Sequence, residues 1–132
     1  GVFGSHLAMH YYAYPENGAY SNEARESKWN KGEGNCGKAW EFGKLRMYDS
    51  KDPKYRNSMG RLETTQAEVV NNSINSWLSV PIRYNDAVVG VLNLDSGQNL
   101  DRTRFADRDV YLLAEAYARD LTTLCPQDGV KA

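Results

Sequence analysis

The sequence predicts an α+β domain. Three observations carry that class: an aromatic-rich hairpin near the start, a β-branched hairpin beyond residue 75, and a closing helix with a clean apolar stripe. The first hairpin is read from Leu7 to Arg25. Leu7 to Tyr14 forms the outgoing strand, Pro15-Glu16-Asn17-Gly18 supplies the turn chemistry, and Ala19 to Arg25 returns. Period-two geometry separates the two faces of that outgoing strand. Leu7, Met9, Tyr11 and Ala13 make the drier one. Ala8, His10, Tyr12 and Tyr14 make an aromatic one with polar tips, which suits a cavity wall.

The stretch WNKGEGNCGKAWEFGK, residues 29–44, follows. Only KAWEFG within it is helix-like, about two turns long, with Gly43 as the stop. KLRMYD then reads as a short strand. Residues 51–75 are polar, with a helix expected over 62–70 and a mobile, site-covering loop over 51–60. In the second hairpin SWLSVPIRY and AVVGVLNLD flank Asn85-Asp86. Pro81 weakens the first strand as a central one and points to a bulge or an edge. Leu78, Val80, Ile82, Val88, Gly90, Leu92 and Leu94 form an apolar face. Trp77, Ser79, Pro81, Val89, Val91, Asn93 and Asp95 form a face with placed polar groups. The closing helix is expected over 107–124, with Phe105, Leu112, Leu113, Ala116, Tyr117, Leu121 and Leu124 toward the core. Asp107 and Asp109 suit the positive end of its dipole.

Composition bounds the function. The 132 residues suffice for one domain, and 41% apolar with 25% charged content describes an ordinary globular chain. A net charge of −1 offers nucleic acid or an anionic membrane no electrostatic attraction. No apolar run approaches a membrane span and no signal peptide is visible. Cys36 and Cys125 are too few for a disulfide scaffold or a four-ligand metal site, which suits a reducing, cytoplasmic setting. The chain starts at Gly1, and we read it as a piece of something longer, with an output domain elsewhere.

Three strings, GEGNCGKAWEFGK, SWLSVPIRYNDAVVGVLNLDS and FADRDVYLLAEAYARDL, stand in the order and at the spacing of a GAF domain, which the chain resembles from Gly4 to Leu124. GAF domains are small-molecule sensor modules of signalling proteins. The resemblance implies a central antiparallel sheet of about six strands, the C-terminal helix on one face and a ligand pocket on the other. It also implies a single domain over residues 4–124 with a truncated N-terminal helix, and a loose tail over 125–132.

Within that family the glycine-rich string makes a tight turn before a short pocket helix. A phosphate loop would need Ser or Thr after Lys38, where Ala39 stands, and Glu33 would repel phosphate. Cys36 at a helix start is placed to have its pKa lowered by the dipole, although a small buried side chain is the plainer reading. One enzymatic branch, the free methionine-(R)-sulfoxide reductases, carries a similar Gly-Cys-Gly turn. Its catalytic cysteine would fall at Val70, its glutamate at Trp77 and the first of its two acidic strand residues at Asn93, whereas Asp95 keeps the second. A Cys-His pair for a bilin is absent, and the cyclic-nucleotide signature is only partial at Phe105 to Val110. His10 is a lone candidate for haem or metal.

The expectation is a non-catalytic, cytoplasmic sensor with no cofactor. Its ligand site is expected at His10, Tyr12, Tyr14, Trp40, Arg46, Tyr48, Trp77, Ser79, Asn93 and Asp95. Its partners are expected to be a small molecule, an output domain or protein, and a second copy of itself as a homodimer, with neither nucleic acid nor membrane. A purely structural dimerisation module and a reductase-like or thiol redox activity are the alternatives.

Overall fold

The computed structural model describes residues 7–8, 28–58 and 74–124. Within these, β1 (Leu7–Ala8) pairs antiparallel with β2 (Lys28–Trp29), Leu7 opposite Trp29. Of the hairpin expected over Leu7 to Arg25 only Leu7 and Ala8 fall within the described residues, and their partners, Lys28 and Trp29, lie beyond the expected returning strand. The hairpin's turn, together with His10, Tyr12, Tyr14, the helix expected over 62–70 and the tail, lies outside the described residues. A second antiparallel sheet runs in the order β3-β4-β5, from Arg46–Asp49, Ser76–Tyr84 and Ala87–Ser96.

The β4–β5 hairpin forms for the reason its sequence suggests. Asn85 and Asp86 both take positive φ, 49° and 66°, the left-handed pair that a two-residue turn with native twist requires. Pro81 lies in the central strand of this sheet, yet β3 pairing stops at Ser79, so the proline sits where one flank of β4 is an edge. One register shift alters the expected faces. Ile82 opposes Gly90 and Arg83 opposes Val88, so Val89 is the extra residue of a bulge. It therefore packs with the apolar core rather than with the polar face assigned to it by strict alternation.

Two helical layers sandwich this sheet. Helix α1 (Gly34–Phe42) starts a turn earlier than KAWEFG and ends on Gly43 at φ 61°. Gly37 lies inside it, where an added Cβ would meet the Asn30 carbonyl oxygen, so the preceding chain folds tightly over the helix. The α1 layer covers Tyr48 and Trp77, with Cys36 between them. On the opposite face a larger core joins Met47, Leu78, Val80 and Ile82 to Leu100 of the short helix α2 (Leu100–Thr103) and to Ala114 and Ala118 of α3 (Arg108–Asp120). A 3₁₀ turn, Leu121–Leu124, continues α3.

Helix α3 corrects the expected core stripe. Phe105 and Leu121 pack inward as expected, but Leu112, Leu113, Tyr117 and Leu124 are exposed, Leu113 and Tyr117 by 58% and 59%. The helix turns Tyr111, Ala114, Ala118 and Leu121 to the sheet. Two alanines four residues apart let the helix backbone lie close to β4, and the bulkier leucines fall on the outer side. Among the described residues no helix is long and apolar enough to cross a membrane.

Candidate functional site

The polar face of β4 and β5 meets the start of α1. Successive outward positions bring Trp77 and Ser79 of β4 opposite Asp95 and Asn93 of β5, with Tyr48 of β3 beside Trp77. These five expected site residues do share one face. Three of them bond to one another. Ser79 Oγ donates to Asn93 Oδ1 at 2.6 Å, and Trp77 Nε1 donates to the same oxygen at 3.0 Å. From above, Asn35 Nδ2 donates to Ser79 Oγ at 2.9 Å and to the Arg46 carbonyl at 3.1 Å. Ser79 and Asn35 are wholly buried, so this network pins α1 to the sheet. Asn93 stays exposed in spite of its bonds, which leaves the face open above β5.

Two carboxylates, Glu33 and Asp95, have no hydrogen-bond or ion-pair partner among the described residues. Glu33 is 3% exposed, both its oxygens are buried, and neither accepts a hydrogen bond. It stands immediately before α1, and its charge acts on the Cys36 thiol, which is itself hydrogen-bonded to Asn93. Asp95, two residues along β5 from Asn93, makes no ion pair or hydrogen bond among the described residues, and burial raises its carboxyl above the ordinary range. Trp77 stands opposite Asp95 in the register. Trp29 meets Trp77 edge to face with centroids 5.3 Å apart. Glu33 and Asn35 were not among the expected site residues. Their only sequence signal was a charged and an amide side chain set between turn glycines.

Of the remaining expected residues that are described, Arg46 stands opposite Ser79 on this same face, and Trp40 lies on α1. Trp40 is half-buried on α1 with the Lys31 ammonium 5.8 Å from its ring, and none of the hydrogen bonds described above reaches it. The Arg46 guanidinium lies 5.8 Å from the ring centre of Phe42 on α1, and its Nη2 donates to the Ser58 carbonyl at 2.8 Å. The loop expected to be mobile is anchored there and on Asp49, whose Oδ2 accepts from the Lys51 and Asp52 amides.

Cys36 departs from the expected dipole effect. Burial pushes its thiol up to about 12, and the Glu33 charge adds to the rise. Hydrogen bonds to the Gly37 and Cys36 backbone and to Asn93 pull the other way and lose. At pH 8 such a thiol holds about one part in ten thousand as thiolate, against roughly a quarter for an ordinary cysteine. In a Cys125→Ser background, iodoacetamide at pH 8 is expected to leave Cys36 unmodified until the protein is unfolded. Rapid alkylation of the native protein, read by intact mass, would contradict the burial argument.

The layered sheet, the pinned α1 turn and the open aromatic face match a known pattern. The GAF domain family model covers residues 3–123, nearly the whole chain. The chain belongs to the GAF family. A solved structure of a type II free methionine-R-sulfoxide reductase from Thermoplasma acidophilum is similar to it, with a TM-score of 0.54 and 19% identity. The match covers 81% of this GAF chain and spans 64% of the reductase chain, and at that identity it speaks for the fold alone. No curated protein sequence matches the chain.

Proposed function

We propose that this GAF domain is a non-catalytic, cytoplasmic sensor that binds a small molecule on the α1 face of its sheet and passes occupancy to an output domain or partner protein. Two carboxylates without a partner among the described residues, Glu33 and Asp95, carry this reading. A buried carboxylate without donors is expensive, and a ligand that brings hydrogen-bond donors or a positive charge relieves that cost. Aromatic surface from Trp77 and Trp29 suits the apolar body or the cation of such a molecule. His10, Tyr12 and Tyr14 complete the wall in this reading, in a single sheet of about six strands. Trp40 and Tyr48 border it. The ligand favours one of two conformations, and the preference reaches α3 through β4.

The buried and raised thiol of Cys36 supports a domain without a sulfur nucleophile. Homodimer formation is supported by the exposed Leu112, Leu113, Tyr117 and Leu124 on the outer side of α3. The same stripe, with the mutually satisfied Ser79–Asn93–Asn35 network, favours a second reading in which the domain only dimerises.

A thermal-shift screen with small primary amines, amino acids, cyclic nucleotides and nitrate separates the two. The sensor reading expects amine-bearing compounds to raise the melting temperature in a saturable way. If every compound left it unchanged while the protein sedimented as a dimer, the second reading would stand.

A further inference from the structure

Two cations, Arg46 and Lys54, lie beside β3 without an ion pair among the described residues. The segment Tyr55 to Ser58 folds back beside Arg46, and a cavity of ≈ 520 Å³ opens between this loop, β3 and the start of α3. That size lies within the range of roughly 300–1,000 Å³ typical of small-molecule sites. Among the described residues its polar lining comes from Arg46, Lys54, Tyr55, Asn57, Ser58 and Tyr111, with no Asp or Glu.

Both cations lie against aromatic rings. Arg46 spends Nη2 on the Ser58 carbonyl and sets its guanidinium carbon 5.8 Å from the Phe42 ring centre. Its Nε is buried and has no acceptor. Lys54 places its ammonium 5.1 Å from the Tyr55 ring centre. Neither makes an ion pair among the described residues, whose salt bridges join Lys38 to Glu41 and Arg104 to Asp107. A buried guanidinium N–H without an acceptor is a costly omission, and an anionic oxygen is its natural complement.

We propose that this cleft beside β3 is an anion site, which takes a small molecule through a carboxylate or phosphate group set between Arg46 and Lys54. Asn57, the Ser58 hydroxyl and the tyrosine hydroxyls orient the rest of the molecule.

The test is a titration of the ¹⁵N-labelled full chain at low ionic strength with inorganic phosphate, with malonate, and with uncharged malonamide. The phosphate and malonate arms distinguish the two oxyanion sources. Saturable amide shifts at Met47, Asn57, Ser58 and Ala106 are expected with at least one anion and not with malonamide. Lys54→Met, a change at an exposed position, is expected to weaken that anion about fivefold or more, and Arg46→Gln to weaken it about tenfold or more. If Arg46→Gln disturbs the fold, Lys54→Met alone decides. Absence of saturable shifts with both anions would overturn the proposal. So would equal shifts with malonamide, or affinity unchanged in Lys54→Met.

Discussion

Asp49→Ala is expected to destabilise the domain by about 3–5 kcal/mol, the largest loss of any single substitution considered, because four donors converge on one buried carboxylate. Asp49 Oδ1 accepts from the Leu100 amide at 2.9 Å and from Asn99 Nδ2 at 2.8 Å. Oδ2 accepts from the Asp52 amide at 2.7 Å and the Lys51 amide at 3.2 Å. One side chain, 3% exposed, thus ties β3 to the loop after it and to the start of α2. Removing it leaves the buried Leu100 amide without an acceptor and releases the loop that walls the cleft beside β3. Urea denaturation followed by circular dichroism measures the loss.

The same carboxylate gives the fold a pH signature. Burial alone would raise the Asp49 carboxyl, but the hydrogen bonds from Asn99, Leu100, Asp52 and Lys51 outweigh it and hold the carboxyl below the ordinary range. A depressed native pKa means that its stabilisation is complete above the unfolded value of about 3.9 and is lost as pH falls through the native value. Asp49→Asn keeps the shape and removes the titration. Its deficit against wild type is expected to be largest near pH 7 and to shrink toward zero in strong acid. A deficit that stays constant with pH would show that packing, not the charge, makes the difference.

Glu33 carries the second large effect, and its sign is the reverse. Glu33→Gln, or the apolar Glu33→Met, removes an unpaired buried carboxylate and is expected to stabilise the empty protein by about 1–3 kcal/mol. The same change is expected to abolish the thermal shift produced by any amine that stabilises wild type. Stability gained together with binding lost distinguishes a functional carboxylate from a structural one, whose removal would lower both. Asp95→Asn extends the test. Burial raises the native pKa of Asp95, so wild type loses stability as pH rises through that value, and the variant is expected to lose this slope.

Much of the architecture follows from period and turn chemistry visible in the residues themselves. The β4–β5 hairpin is legible because alternation runs nine residues either side of an Asn-Asp pair that tolerates positive φ. The same alternation brought Trp77, Ser79, Asn93 and Asp95 to one face. It failed at Val89, since a bulge inserts one residue without disturbing the apolar run. The face of α3 failed for another reason. Its sequence has two apolar stripes, one with alanines and one with leucines, and periodicity does not say which meets the sheet. Proximity to β4 selects the alanines.

In the site, the residue types were legible and their bonding was not. Ser79, Trp77 and Asn93 look available on a strand, but each turns to the others once Asn35 of α1 descends on them. The groups left unsatisfied came from places with no periodic signal. Glu33 sits between two glycines, and the Arg46 guanidinium is held by the Phe42 ring and the Ser58 carbonyl, contacts that strand alternation does not show.

Native mass spectrometry of wild type and Glu33→Gln, both purified rapidly from the same host, tests the sensor reading most directly. The account predicts a small amine-bearing molecule retained by wild type and absent from the variant, with both proteins folded. The same bound mass on both proteins, or no bound mass on wild type together with no amine-induced thermal shift, would contradict it.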